Sequence, residues 1–180
     1  MTLSGGEMLA QPDFCDALID LAEQEGIGVC LDTSGYGDGD RLYKMAKRPA
    51  VTNILFDMKA IDDEVHKAYT GHSNEIILNN LRTLAKDPEV LPKIMMRMPL
   101  IKDVNDTDEM IRDTAEFYKA YGLNDVFLLP YHTLGVSKTR NIGHVPETFE
   151  APSDERLEKI RRYFESLEMK VEILGKQVRK

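Results

Sequence analysis

Five short apolar runs in this sequence each carry or end in side chains that can bind or move charge. Ser4-Gly5-Gly6-Glu7 follows the first, Asp32-Thr33-Ser34-Gly35 the second and Asp57-Met58-Lys59 the third; Arg97 sits within the fourth, and Pro130-Tyr131-His132 closes the fifth. Paired glycines let a backbone approach a ligand closely, and Glu7 beside them can accept hydrogen bonds from an ammonium group. Taken alone, the same residues describe a tight turn with a solvated Glu. Asp57 and Lys59, two apart on a strand, share a face, where they either pair with each other or hold a zwitterion or a ribose. Arg97 lies among Met95, Met96 and Met98, and a guanidinium in apolar company needs an anionic partner, for which Asp32 and Asp57 are the candidates. His132 can stack on a nucleobase, hydrogen-bond to it or carry a proton, or it simply faces solvent. His66, His72 and His144 read as ordinary surface histidines, and most methionines, with Cys30, as core filling. A transition-metal site from Asp32, Asp57 and His132 has no HxH or HExxH spacing behind it.

An alternation of helices and strands has to position these residues. Pro12 suits a first helical turn, and Phe14, Leu18, Leu21 and Ala22 recur at helical spacing until Gly26 stops them. Val29-Cys30-Leu31 and Asn53 to Phe56 read as buried strands, with a short helix near Asp40 to Lys47 between them. A long helical stretch runs to about Lys86, broken at Thr70-Gly71-His72-Ser73, with Ile77, Leu78, Leu81 and Leu84 on one face. Lys93 to Met98 is the next strand. Asp106 with Glu109 makes an acidic capping box for a helix whose stripe of Met110, Thr114, Phe117, Tyr118 and Tyr121 ends at Gly122. Val126 to Leu129 is a strand, a Gly-containing loop spans about Thr133 to Pro152, Leu157, Ile160, Phe164 and Leu167 mark a last helix, and Val171 to Ile173 a last strand. Such alternation predicts a parallel sheet, either doubly wound and open or a complete or partial barrel, with every strand-end residue on one rim where ligands bind.

Residues 1–180 read as one domain, since 42% hydrophobic and 30% charged residues are enough for a core. A net charge of −8 with scattered Lys and Arg argues against a nucleic-acid surface. No apolar run suits a membrane span and no secretory pattern opens the chain, so the expectation is a cytoplasmic protein. The only two cysteines, Cys15 and Cys30, form neither a disulfide framework nor a CxxC motif and read as reduced. Met1 leads straight into a strand end and its turn, which raises the expectation of a fragment.

Six segments, in order, resemble the radical S-adenosylmethionine (SAM) activating enzymes of glycyl radical enzymes, of the pyruvate formate-lyase activating type. They are Thr2 to Glu7, Leu31 to Tyr36, Phe56 to Lys59, Tyr69 to Glu75, Pro99 to Ile101 with Val104 to Asp106, and Leu128 to Gly135. The resemblance implies a partial (β/α)6 TIM-like barrel of the radical SAM type, here without its first strand and cluster loop, that binds SAM across its strand ends. By that likeness Gly5, Gly6 and Glu7 receive the methionyl ammonium, Asp57 and Lys59 stand in the family's DxK, and Arg97 and His132 lie near the carboxylate and adenine. Asp32, with the SAM-binding set, also joins Thr33 and Asp57 in a monovalent-cation site, which suits hard oxygen ligands. Lys102-Asp103 replaces the family's frequent Pro-Gly in a loop.

The resemblance further implies reductive cleavage of SAM at a [4Fe-4S] cluster, which produces a radical that takes hydrogen from a glycine of a partner glycyl radical enzyme, with flavodoxin or ferredoxin as electron donor. The C-x-x-x-C-x-x-C that would hold the cluster is absent, and neither Cys15 nor Cys30 can replace it, so the chain alone is expected to be inert. Two other readings stay open: a barrel aldolase with Lys59 as its Schiff-base lysine, and a noncatalytic binding module.

Overall fold

The structure, a computed structural model, describes residues 1–132 and 149–175. Six strands, β1 (Thr2–Leu3), β2 (Val29–Thr33), β3 (Val51–Asp57), β4 (Ile94–Leu100), β5 (Asp125–Pro130) and β6 (Lys170–Ile173), form one sheet. Each strand pairs in parallel with the next in sequence. The connecting helices are α1 (Pro12–Gln24), α2 (Gly39–Ala46), α3 (Asp63–Thr70), α4 (Glu75–Ala85), α5 (Asp108–Tyr121) and α6 (Asp154–Ser166). A doubly wound sheet reverses its strand order at a switch point; this one does not, which leaves the open barrel of the two alternatives.

The period-2 alternation of each strand divides the sheet into two faces. Leu31, Ile54, Phe56, Met96, Val126 and Leu128 are completely covered and pack with Leu42, Leu81, Tyr118 and Phe164 from the helices into one core. Their neighbours Cys30, Asp32, Leu55, Asp57, Met95, Arg97 and Phe127 are half-buried and occupy the opposite face. Cys30 is therefore on the face opposite the core where its strand position had placed it. Alternate residues of a strand point opposite ways, and Leu31 takes the core side.

Three further expectations need correction. In α1 the buried positions are Cys15, Ile19 and Ala22, while Phe14 and Leu21 are 60% and 57% exposed. Two apolar stripes run along that helix, and the Cys15 stripe is the one that faces the sheet. The N-cap of α5 is Thr107, whose hydroxyl accepts from the Met110 amide at 3.2 Å. Asp106 instead accepts from the Asp103 amide at 2.7 Å and is buried, so it closes the preceding turn and forms no capping box. His66 is buried, its Nδ1 2.8 Å from the His72 carbonyl. Most of the loop placed over about Thr133 to Pro152, His144 included, lies outside the described residues.

Because Thr107 satisfies an amide that α5 cannot satisfy internally, Thr107→Ala is expected to destabilise the fold by about 1 kcal/mol. Urea unfolding reads this as a lower midpoint at an unchanged slope.

Candidate functional site

At the C-terminal ends of β2 and β3, and midway along β4, the chain gathers two carboxylates around one guanidinium. The register sets Asp57 beside Arg97, and Asp32 lies on the same face of β2. Arg97 Nε donates to Asp57 Oδ1 at 2.8 Å, and its Nη2 lies 2.7 Å from that oxygen and also donates to Asp32 Oδ1. Ser4 Oγ donates to the other Asp32 oxygen at 2.8 Å, which ties the end of β1 to the group. Lys59 Nζ stands 4.0 Å from Asp57 Oδ2 with its side chain 44% exposed. Burial pushes the Asp57 carboxyl above its ordinary value, although Arg97 and Lys59 pull it down. Arg97 thus takes both of the partners that the sequence offered it.

Glu7 lies in the same corner. Its Oε1 accepts from the Leu9 amide at 3.0 Å and from Thr33 Oγ1 at 2.6 Å; its Oε2 accepts from the Ser34 amide at 2.8 Å and from Ser34 Oγ at 2.6 Å. All four acceptor sites of the carboxylate are filled within the protein, and they fasten the Gly5-Gly6 turn to the end of β2. Gly5 and Gly6 are exposed, and a Cβ on either would meet no atom within 4 Å, so their backbone borders open space. Each Glu7 oxygen faces a backbone N–H, which cannot be turned round. Glu7→Gln therefore sets an amide NH2 against a donor in either orientation and is expected to destabilise the protein by about 1–3 kcal/mol. A midpoint unchanged in urea unfolding would show that the turn holds without it.

Thr33 is buried with its hydroxyl committed to Glu7, on the opposite face of β2 from Asp32. Arg97 supplies the positive charge between the Asp32 and Asp57 carboxylates. Among the described residues no cluster of His, Cys, Asp and Glu has a metal-holding arrangement. Tyr131 donates its amide to the Leu100 carbonyl at 2.9 Å, and His132 follows it, exposed. Tyr131 and Tyr69 both meet the ring of Phe149, at 5.7 and 5.8 Å between centroids.

Sequence reasoning placed Ser4 and Ser34 at strand ends without a role of their own and passed over Asn80, whose type signals nothing by itself. Asn80, buried on α4, donates to the carbonyls of Gly35 and Gly37 at 2.8 and 3.0 Å and so pins the loop that follows Thr33. A groove of about 450 Å³ beside the N-termini of α5 and α6 is lined by Lys102, Asp108, Arg156 and Lys159, which pair among themselves and with Glu150.

The profile of the Radical SAM superfamily matches residues 1–118. The trans-4-hydroxy-L-proline dehydratase activating enzyme of Clostridioides difficile is 38% identical over 97% of this chain and 58% of its own length. The pyruvate formate-lyase-activating enzyme of Clostridium pasteurianum is 31% identical over 93% of this chain and 69% of its own. Among solved structures, a domain of a pyruvate-formate lyase-activating enzyme from Bacteroides vulgatus superposes with a TM-score of 0.76 at 25% identity, covering 97% of this chain and 98% of that one. The chain belongs to the radical SAM superfamily, among the activating enzymes of glycyl radical enzymes. It spans little more than half the length of the Clostridioides relative.

Proposed function

We propose that these residues form the SAM-facing part of an enzyme that installs a glycyl radical on a partner protein. The observation that carries this reading is the joining of Asp32, Arg97, Asp57 and Lys59 across three adjacent strands, next to the open Gly5-Gly6 backbone. The donor set suits SAM: the glycine turn offers carbonyls to an ammonium, Lys59 and Arg97 offer charge to a carboxylate, and the aspartates offer acceptors to ribose hydroxyls. In this reading His132, exposed just after β5, meets the adenine. When bound and reductively cleaved, SAM supplies the radical that removes hydrogen from a glycine; the residues named here bind and orient it.

The cysteines do not fit a [4Fe-4S] cluster. Cys15 is buried in α1 with Sγ 3.3 Å from the Met8 carbonyl, and Cys30 stands alone on β2. Burial raises both thiols above their ordinary values, the reverse of what a thiolate ligand needs. In this reading the cluster thiolates come from outside residues 1–180, a flavodoxin or ferredoxin delivers the electron, and the setting is an anaerobic cytoplasm. No helix among the described residues is long and apolar enough to cross a membrane. The aldolase alternative loses ground because Lys59 is half in solvent and a Schiff-base lysine needs desolvation.

The test joins to this chain the part of the Clostridioides relative that it does not cover and reconstitutes iron and sulfide anaerobically. The expected product is a brown protein that releases 5′-deoxyadenosine from SAM under reduction and raises a glycyl radical signal on a partner. A folded, brown chimera that leaves SAM intact would contradict the proposal.

A further inference from the structure

Lys59 is carried by a loop, yet that loop is held as firmly as a strand. Between Asp57, the last residue of β3, and Asp63, the first of α3, the carbonyls of Lys59, Ala60 and Ile61 have no strand or helix to receive them. Two asparagines supply the missing donors. Asn105 Nδ2 donates to the Lys59 carbonyl at 2.6 Å and to the Pro99 carbonyl at the end of β4, also at 2.6 Å. Its Oδ1 accepts from the Ile101 amide at 2.8 Å. Asn74 Nδ2 donates to the carbonyls of Ala60 and Ile61 at 3.1 and 2.8 Å, and its own amide donates to Asp63 Oδ1 at 2.9 Å.

Both carboxamides are almost completely buried, Asn74 at 3% and Asn105 at 6% exposure. A buried polar side chain must be matched, and each of these uses both of its N–H groups on main-chain carbonyls. Loop carbonyls on a protein surface are ordinarily left to water. Here three in succession are taken by interior side chains, and the Met58 amide just before them is taken by the Arg97 carbonyl at 2.8 Å. Met58 and Ala60 are buried on either side, whereas the Lys59 side chain is presented outward, toward Asp57.

We propose that Asn74 and Asn105 are positioning residues that fix the backbone carrying Lys59, so that its ammonium reaches a ligand carboxylate at the strand ends. The proposal deepens the SAM-binding reading and rests on it. Neither asparagine touches the ligand; each acts through Lys59. Asn105 in addition couples the height of that loop to the end of β4, the strand that bears Arg97, so the two cations stay at a set separation.

The test is a double-substitution cycle on SAM affinity with Lys59→Ala, Asn105→Ala and the pair, in protein shown by amide spectra to be folded. Asn105→Ala is expected to weaken binding about tenfold with Lys59 present and to add nothing in the Lys59→Ala background. Equal weakening in both backgrounds, or none in either, would overturn the proposal. Lys59→Ala that leaves SAM affinity unchanged would refute Lys59 as a ligand contact. Hydrogen exchange at residues 59–61, measured with no ligand, then decides the positioning separately. Asn105→Ala and Asn74→Ala should each speed that exchange more than exchange in the sheet, and unchanged exchange would overturn the role.

Discussion

Replacing Arg97 with alanine is expected to destabilise the protein by about 2–4 kcal/mol near neutral pH and to abolish SAM binding. Arg97 is the shared partner of Asp32 and Asp57, and all three side chains are only about one-fifth exposed. Removal of one member of a buried charge group leaves the others uncompensated, at about 3–5 kcal/mol for a fully buried pair; the residual exposure here reduces that range. Ser4 and Lys59 remain near the two carboxylates but do not lie between them. The pH dependence has a definite sign. Asp57 is held above its ordinary value by burial even with Arg97 beside it, and loss of Arg97 raises it further. Ionised Asp57 is therefore the destabilising form, and protonation relieves it. The stability gap between wild type and Arg97→Ala should be widest above the raised Asp57 value and narrow as pH falls through it. Urea unfolding at a series of pH values checks this; a gap that stays constant with pH would place the loss elsewhere.

The second large effect is expected at Gly35. This residue has φ of +74°, and a Cβ built on it collides with Cζ of Phe56, a ring with no exposure at all. Two penalties combine in Gly35→Ala: left-handed backbone strain of about 1–2 kcal/mol and overpacking of about 1–3 kcal/mol. The sum, about 2–5 kcal/mol, corresponds to a fall in melting temperature on the order of 10 °C for a chain of this length. Gly71 provides the control, since it has φ of +80° but no atom within 4 Å of its Cβ position. Gly71→Ala should show the strain alone. Equal losses at the two positions would mean that Phe56 moves aside without cost. The loop at stake is the one that brings Thr33 and Ser34 to Glu7, so the Gly35 variant should also loosen the Gly5-Gly6 turn.

The strand ends were legible in the sequence because polar residues stop apolar runs sharply, as at Leu31-Asp32 and Phe56-Asp57, and because Arg97 among methionines required an anion. The sequential sheet order was legible only through the six resembling segments, because alternating helices and strands by themselves suit a doubly wound sheet equally well. In α1, Phe14 and Leu21 lie on one apolar stripe and Cys15 and Ile19 on another, and only the packed sheet chooses between them. At the start of α5 two capping residues stand side by side, and the choice of Thr107 over Asp106 follows from the turn that Asp106 closes with Asp103. Asn74 and Asn105 stood inside resembling segments but had no role of their own, and Asn80 gave no signal, because an asparagine in a chain of this polarity is ordinarily solvated; their donors become visible once β3, β4 and their loops are brought together. Glu7 stood out in the sequence beside the paired glycines, whereas its complete engagement with Thr33, Ser34 and Leu9 depended on β1 lying next to β2.

The most direct measurement is titration of SAM into isotopically labelled protein, followed through backbone amide and lysine side-chain signals, which report even weak binding residue by residue. Saturable shifts should concentrate at Gly5, Gly6, Asp32, Asp57, Lys59 and Arg97 and disappear in Arg97→Ala. Absence of shifts at the highest soluble SAM concentration, or shifts centred away from the ends of β1 to β4, would contradict the assignment of this rim as the SAM-binding face.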